Sequence, residues 1–378
     1  MKKVIVLGST GTIGRNTIAV IRNLKGFEVI GLAAYRNRRR LENQISLLKP
    51  RYATLIESRA NREYCPEQSG TRFFQGEDEL LTMVEKSRAD IMVCALSSTV
   101  GVTAVIKGIE SGMRICLATK EILVSFGEII MKMVKRHRTE LVPVDSEHSA
   151  IYQCLRGESP TAVRNIFLTA SGGPFLNRNI RQVRKTDVLN HPVWKMGQKI
   201  TVDSATMMNK GLEIIEAHHL FGLPPEKIKV VIHPEAICHS LVQFIDGSIK
   251  AQFSYPDMKL PIQYALTAPD RRPAVIRHID MGHFQNLSFL EPDFKKFPAL
   301  NLSYRALETG KSMPAILNAA NAEAVKLFLE DRLKFSDIPK VIEKTMKAHK
   351  PINGGIKDYI AAEKWACNFV RNKYKEVG

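Results

Sequence analysis

The chain has 378 residues, 44% of them hydrophobic and 25% charged. It is too long for one ordinary core and too apolar for a disordered protein, so two or three domains are expected. No uninterrupted apolar run reaches the roughly 18 residues of a membrane-spanning helix. The opening apolar stretch, Val4–Leu7, is shorter than the roughly 7–15 residues of a signal-peptide core, so a cytoplasmic protein is expected. Six scattered cysteines with no C-x-x-C spacing exclude a disulfide scaffold or zinc framework. A formal net charge of +17 draws anions. With no zinc-finger spacing and no aromatic RNA-binding strand, it favours anionic small molecules over nucleic acid.

In chain order, Lys2–Leu7 reads as a strand, GSTGTIG (8–14) as a glycine turn and Thr12–Leu24 as a helix. Gly8, Gly11 and Gly14 make a variant of the dinucleotide fingerprint, in which the backbone comes close to a pyrophosphate at a helix N-terminus. The next strand, Phe27–Ala34, ends in Tyr35-Arg36-Asn37-Arg38 rather than in an acid. A carboxylate there would accept from the ribose hydroxyl of NAD, whereas guanidinium groups suit the 2′-phosphate of NADP(H). Strands at 53–56, 90–96, 114–118 and 141–144 alternate with helices at 77–86 and 102–111. That alternation predicts a Rossmann-like parallel sheet with ligands at the strand carboxyl ends. Lys120, in ATKE, and the pair Asp145 and Glu147, in PVDSEH, fall at such ends.

In an extended segment Asp145 and Glu147 share a face and offer oxygen ligands to a hard cation such as Mg²⁺ or Mn²⁺. The same residues also read as a surface pair or as the N-cap of a helix beginning near His148. A third carboxylate would decide between them. Further on, TASGGPF (169–175) sets Ser171 against two glycines, a loop suited to wrapping a phosphate but lacking the P-loop lysine. Residues 178–199, with HPVWKMG, form a polar connection of lid length. Residues 202–222 read as one helix with Ser204 near its start, and Asn209, Lys210 and Glu213 on one face. His218, His219, His233 and His239 have no metal-site spacing and read as structural.

GSTGTIG, ATKE, PVDSEH, TASGGPF, HPVWKMG, VDSATMMNKGLE, YPDMKLPIQYAL (255–266) and ILNAANAEAV (316–325), in this order, resemble the 1-deoxy-D-xylulose 5-phosphate reductoisomerase family. The resemblance covers essentially the whole chain. It implies an NADPH-dependent enzyme of the non-mevalonate isoprenoid pathway that makes 2-C-methyl-D-erythritol 4-phosphate. It implies a divalent cation, Mg²⁺ or Mn²⁺ with Co²⁺ a third candidate, held by Asp145, Glu147 and Glu213. Those three, with Lys120 and His191, make the implied catalytic set. Ser171, Ser204, Asn209 and Lys210 match phosphate-binding positions, and Ser146 and Lys120 substrate contacts. His191, Trp194 and Met196 match a mobile loop over the substrate. On the cofactor side the match gives Gly8, Ser9, Thr10, Gly11, Thr12, Ile13, Gly14, Arg36, Asn37, Thr119, Glu121, Met196 and Gly197. Three cleft positions depart from the family pattern: Tyr35, Thr119 where asparagine is usual, and Leu96-Ser97-Ser98 within CALSSTVG.

The expected division is an NADPH domain over 1–145, a catalytic and dimerisation domain over 146–268, a Pro-rich linker over 269–298 and a C-terminal helical domain over 299–378. The expected fold class is α/β: a Rossmann-like parallel sheet, an α+β catalytic domain and a small C-terminal helical bundle. Strands near 229–233, 241–244 and 249–253 should build the second sheet, which the resemblance assigns to a homodimer. Helices are expected at 313–330 and 337–348. The expected partner is a small phosphorylated sugar, with neither nucleic acid nor membrane. The rival readings are another NADP-linked dehydrogenase, acting without rearrangement, and a basic nucleic-acid-binding protein.

Overall fold

A computed structural model describes residues 1–57, 70–176, 178, 180, 183–190, 197–280, 282 and 286–374. The first elements are β1 (Lys2–Leu7), α1 (Thr12–Asn23), β2 (Phe27–Ala34), α2 (Arg38–Leu48), β3 (Tyr52–Leu55), β4 (Arg72–Gln75), α3 (Glu77–Ser87) and β5 (Ile91–Cys94). Next come α4 (Val102–Glu110), β6 (Arg114–Leu117), α5 (Lys120–His137), β7 (Leu141–Pro143), α6 (Ser146–Cys154) and β8 (Val163–Ala170). Then follow α7 (Lys185–Val188), α8 (Gln198–Ala205), α9 (Met208–Phe221), β9 (Ile228–Ile232), β10 (Cys238–Phe244) and β11 (Ile249–Phe253). The chain closes with α10 (Lys259–Thr267), α11 (Ala299–Thr309), α12 (Met313–Leu329), α13 (Ile338–Ala348) and α14 (Ile356–Lys373).

The chain divides into two compact units. The first comprises residues 1–122, 130–152 and 257–278. Its sheet has seven strands in the order β4-β3-β2-β1-β5-β6-β7, all parallel. Val4–Leu7 of β1 are fully buried, as befits a central parallel strand covered on both faces. β1 lies between β2 and β5, where the strand order reverses, and the crevice at that point is the expected nucleotide site. Ile18 and Ile21 of α1 and Ile262 and Ala265 of α10 pack in one core with Val4, Val6, Val93, Cys116 and Val142.

The second unit comprises residues 123–129, 153–256 and 279–378. Its sheet runs β11-β10-β8-β9, with β8 parallel to β9 and antiparallel to β10. Met208, Leu212 and Ile215 of α9 share a core with residues of α11, α12, α13 and α14. α9 and α11 approach closely because Gly211 has no side chain; a Cβ there would lie 2.2 Å from Ser303 Oγ. The parallel sheet, the second sheet and the C-terminal helices make this the α/β class read from the sequence.

Two local features differ from expectation. β4 and the body of β8 carry no clear sequence signal; β8 is held on one side by β9 and on the other by β10. The stretch 202–222 is two helices, because Met207 stands in the left-handed region (φ 60°) between α8 and α9. Of the two readings of Asp145 and Glu147, the helix cap holds and the extended segment does not: they lie at the start of α6. Among the described residues no helix is long and apolar enough to cross a membrane, and Cys94, Cys116, Cys154, Cys238 and Cys367 are free thiols.

Candidate active site

In the first unit the glycine turn is shaped by close backbone approach. Gly8 has φ +84°, and a Cβ there would sit 2.2 Å from the Ala95 carbonyl oxygen. A Cβ on Gly14 would sit 2.3 Å from the Gly8 oxygen, whereas one on Gly11 would meet nothing nearer than that same oxygen at 3.4 Å. Gly8 and Gly14 are therefore dictated by packing, and Gly11 is left as an exposed N-cap with no side-chain cap for α1. A helix N-terminus opened in this way suits an anion. Ser9 is fully buried and fastens the turn. Its N–H donates to the Ala33 carbonyl at 2.9 Å, its hydroxyl to Gln44 Oε1 at 2.7 Å, and its carbonyl accepts from Gln44 Nε2 at 2.8 Å.

Thr10, Thr12 and Ile13 continue the turn, and the Thr10 carbonyl accepts from Arg40 at 3.2 Å. Arg36 and Asn37 are exposed after β2, and the Asn37 side chain caps α2 by accepting from the Arg40 N–H at 3.2 Å. Buried Thr119 donates its hydroxyl to the Leu96 carbonyl at 2.6 Å, tying together the segments that leave β5 and β6. Glu121 lies in the first turn of α5.

Lys120, also buried, pairs through Nζ with the Asp145 carboxylate. The Asp145 carbonyl accepts from the Ser149 N–H at 2.8 Å, so Asp145 opens α6 by its backbone and Glu147 sits in the first turn. Negative charge is favoured at that helix end. Ser146 donates to Glu147 Oε2 at 2.5 Å. Asp145 and Glu147 bring carboxylate oxygens within 4.8 Å of each other, and the His148 ring nitrogen reaches as near to an Asp145 oxygen. Two half-buried carboxylates this close repel each other unless a cation offsets them. Lys120 supplies one positive charge, and the oxygen donors fit a hard divalent ion.

In the second unit, β8 runs into Ser171, Gly172 (φ +84°) and Gly173 (φ +63°). A Cβ on Gly173 would lie 3.0 Å from the Ser204 carbonyl oxygen, so this loop and the end of α8 are packed together. Gly197 caps the start of α8. After the left-handed turn at Met207, a conformation that costs a non-glycine residue about 1–2 kcal/mol, α9 presents Asn209, Lys210 and Glu213. Glu213 is fully buried; it accepts from Asn209 Nδ2 at 2.6 Å and pairs with the buried Lys210 ammonium. Two hydroxyls, glycine-loop amides and an ammonium are the donors a phosphate monoester needs.

Residues 4–127 match the family model for 1-deoxy-D-xylulose 5-phosphate reductoisomerase, and residues 141–221 and 253–369 match two models of that enzyme's C-terminal domain. The reductoisomerase of Thermodesulfovibrio yellowstonii is 44% identical over 100% of both chains, and that of Pelotomaculum thermopropionicum 45% identical over 97% of each. The chain belongs to the 1-deoxy-D-xylulose 5-phosphate reductoisomerase family. Among solved members of that family, the Zymomonas mobilis enzyme in complex with NADPH superposes with a TM-score of 0.91 at 36% identity, over 99% of each chain. A reductoisomerase in complex with NADPH, fosmidomycin and magnesium gives 0.92 at 33% identity, over 99% of this chain and 98% of the other.

In this reductoisomerase-family chain the fold places several of the residues expected from the sequence in clusters. Lys120 meets Asp145, and Asn209 and Lys210 meet Glu213. His191, Trp194 and Met196 lie outside the described residues. The supports carry no sequence signal. Gln44 holds Ser9, the Leu96 carbonyl holds Thr119, and Asn321 donates to Asp203 at 2.8 Å. Asp203 and Asn321 both fall inside motifs that carried the resemblance, but 118 positions separate them, and nothing in either motif reports the pairing.

Proposed function

We propose that the protein rearranges 1-deoxy-D-xylulose 5-phosphate and reduces the rearranged product to 2-C-methyl-D-erythritol 4-phosphate, using NADPH and a divalent cation. The observation that carries the reading is the buried Asn209–Lys210–Glu213 cluster that follows the Ser171–Gly173 loop and Ser204. A dehydrogenase of a small acid needs the glycine turn but has no use for a buried glutamate set among phosphate donors. The solved relative holding NADPH, fosmidomycin and magnesium supports the same reading.

In this reading Asp145, Glu147 and Glu213 hold the cation, which when bound supplies Lewis acidity to the ketol oxygens. NADPH brings the hydride. Lys120 orients the Asp145 carboxylate, and holds or moves a proton at a substrate oxygen. Ser146 contacts the substrate beside Glu147. Ser171, Ser204, Asn209 and Lys210 grip the phosphate, so that binding energy from the non-reacting end orients the reacting carbons. The pyrophosphate meets the turn at Gly8–Gly14 and the N-terminus of α1, and Arg36 and Asn37 face the 2′-phosphate. Thr119 and Glu121 would line the cofactor cleft. His191, Trp194, Met196 and Gly197 belong to a loop that excludes water from the reduction.

We extend the proposal to a cytoplasmic homodimer, and to the four-part division at residues 145, 268 and 298. The test is NADPH oxidation with 1-deoxy-D-xylulose 5-phosphate, after chelation and after return of Mg²⁺ or Mn²⁺. Turnover should vanish and then recover; turnover that persists in excess chelator would favour the simpler dehydrogenase.

A further inference from the structure

We propose that Asp203 is a positioning residue. Through Asn321 it sets the rotation of α8 that presents Ser204, and thereby how tightly the protein holds the phosphate end of its substrate. This rests on the role given to Ser204 above.

Asp203 is 1% exposed, yet it carries a carboxylate among apolar neighbours, with Val202 and Ala205 of the same helix in the core. Burying a carboxylate is costly unless charged or hydrogen-bonding partners offset it, and an apolar side chain fills such a place at less cost. Both Asp203 oxygens are met. Oδ2 accepts from Lys199 Nζ at 2.8 Å, one turn back on α8, and Oδ1 accepts from Asn321 Nδ2 at 2.8 Å, on α12.

The Asn321 bond is directional in a way the apolar contacts are not. Val202 and Ala205 fix how deep α8 sits; the Asn321 bond fixes its turn about its own axis. Ser204 follows Asp203 by about 100° around the helix, so a change in that turn re-aims its hydroxyl. α8 has only eight residues and ends at the Thr206–Met207 reversal, and a helix so short does not hold its own orientation. The Ser204 segment is thus held by Asn321 through Asp203 and by Gly173 against the Ser204 carbonyl.

The experiment compares Asp203→Asn and Asn321→Ala with the unaltered full-length enzyme. It measures KM for 1-deoxy-D-xylulose 5-phosphate and for NADPH, kcat, melting temperature, and binding of inorganic phosphate by calorimetry. For Asn321→Ala, which removes the bond and keeps the Lys199 pairing, KM for the sugar phosphate and the phosphate dissociation constant should rise together by about tenfold, the scale of one hydrogen bond to a charged group. KM for NADPH should hold, and kcat should stay within a few-fold. Asp203→Asn still offers an amide oxygen to Asn321 Nδ2 but loses the charge that meets Lys199, so its rise should be smaller, which separates the Asn321 bond from the ion pair. If the melting temperature falls while KM and phosphate binding stay put, Asp203 is merely structural and the inference is overturned. Failure of the unaltered enzyme to turn over the sugar phosphate would instead overturn the functional reading. The phosphate titration, which needs no turnover, would still decide the role of Asp203.

Discussion

The crevice at the β1–β5 reversal and the turn between α8 and α9, the two phosphate sites proposed above, are built by opposite means. The first is built from what is missing. Gly8 and Gly14 leave room for backbone to meet backbone, and α1 offers an open N-terminus. The second is built from buried carboxylates and their partners: Glu213 with Lys210, and Asp203 with Lys199 and Asn321. Added bulk therefore damages the first region. The second fails when one member of a pair is removed and the other is left uncompensated.

The sharpest test of this contrast is Glu213→Gln. The change is nearly isosteric, so packing survives, but the charge facing Lys210 and the third proposed metal ligand are lost. Turnover should fall by roughly 10²–10³-fold, with NADPH affinity nearly unchanged when followed by cofactor fluorescence. Normal turnover in this variant would remove Glu213 from the metal site.

Acidification acts next, and in the second unit. His219 packs its ring against Gly127, and burial, with His218 adding to it and Glu128 opposing, lowers its pKa from 6.5 to about 4. Above pH 6.5 the ring is neutral both folded and unfolded, and it costs nothing. As pH falls from 6.5 toward 4 the unfolded chain takes up the proton first, so stability is lost through that window, by about 3 kcal/mol at most. In the first unit, burial pushes Cys94 up to about 11 and Cys116 up to about 12 from 9.0. Those thiols stay neutral at acid pH and weaken the fold only above pH 9. Melting curves between pH 7.5 and 4.5 should show the loss, and His219→Phe, which keeps a ring but cannot titrate, should flatten it.

The contrast also explains what the sequence reveals. β1, β2 and the turn between them are legible because a doubly covered parallel strand is a continuous apolar run, and its glycines are forced by φ and by contact. The carboxylates at 145, 147 and 213 are legible as residue types, but their geometry is not. Asp145 and Glu147 start a helix, and a two-residue spacing alone does not distinguish that from a strand end. The break at Met207 is hidden because methionine has no intrinsic bias to the left-handed region. Surrounding structure imposes it, helped by Thr206 Oγ1, which accepts from the Met208 N–H at 3.3 Å. Pairs such as Asp203–Asn321 are invisible because no local pattern links residues 118 apart.

Within the glycine turn, Gly8→Ala should cost about 1–3 kcal/mol and weaken NADPH binding, since both φ and the Ala95 oxygen oppose a methyl group. Gly11→Ala is the control. Its φ is −74° and its Cβ would make only ordinary contact at 3.4 Å, so the denaturation midpoint should not move. Equal damage from both substitutions would mean that the turn is sensitive to any added atom, and that close packing at Gly8 is not the cause.

The smallest effect is expected at Thr119, where the crevice does rely on a side chain. Its hydroxyl meets the Leu96 carbonyl at 2.6 Å, and both residues are buried. Thr119→Val preserves shape and leaves that carbonyl without its donor, which should cost about 1–2 kcal/mol in the urea midpoint with an unchanged slope. Thr119→Asn restores a donor on a longer arm. If the bond to Leu96 is what position 119 supplies, the asparagine variant should recover most of the loss and the valine variant none. If both lie at the unaltered midpoint, the Leu96 carbonyl is satisfied without a protein donor, and threonine there follows from shape alone.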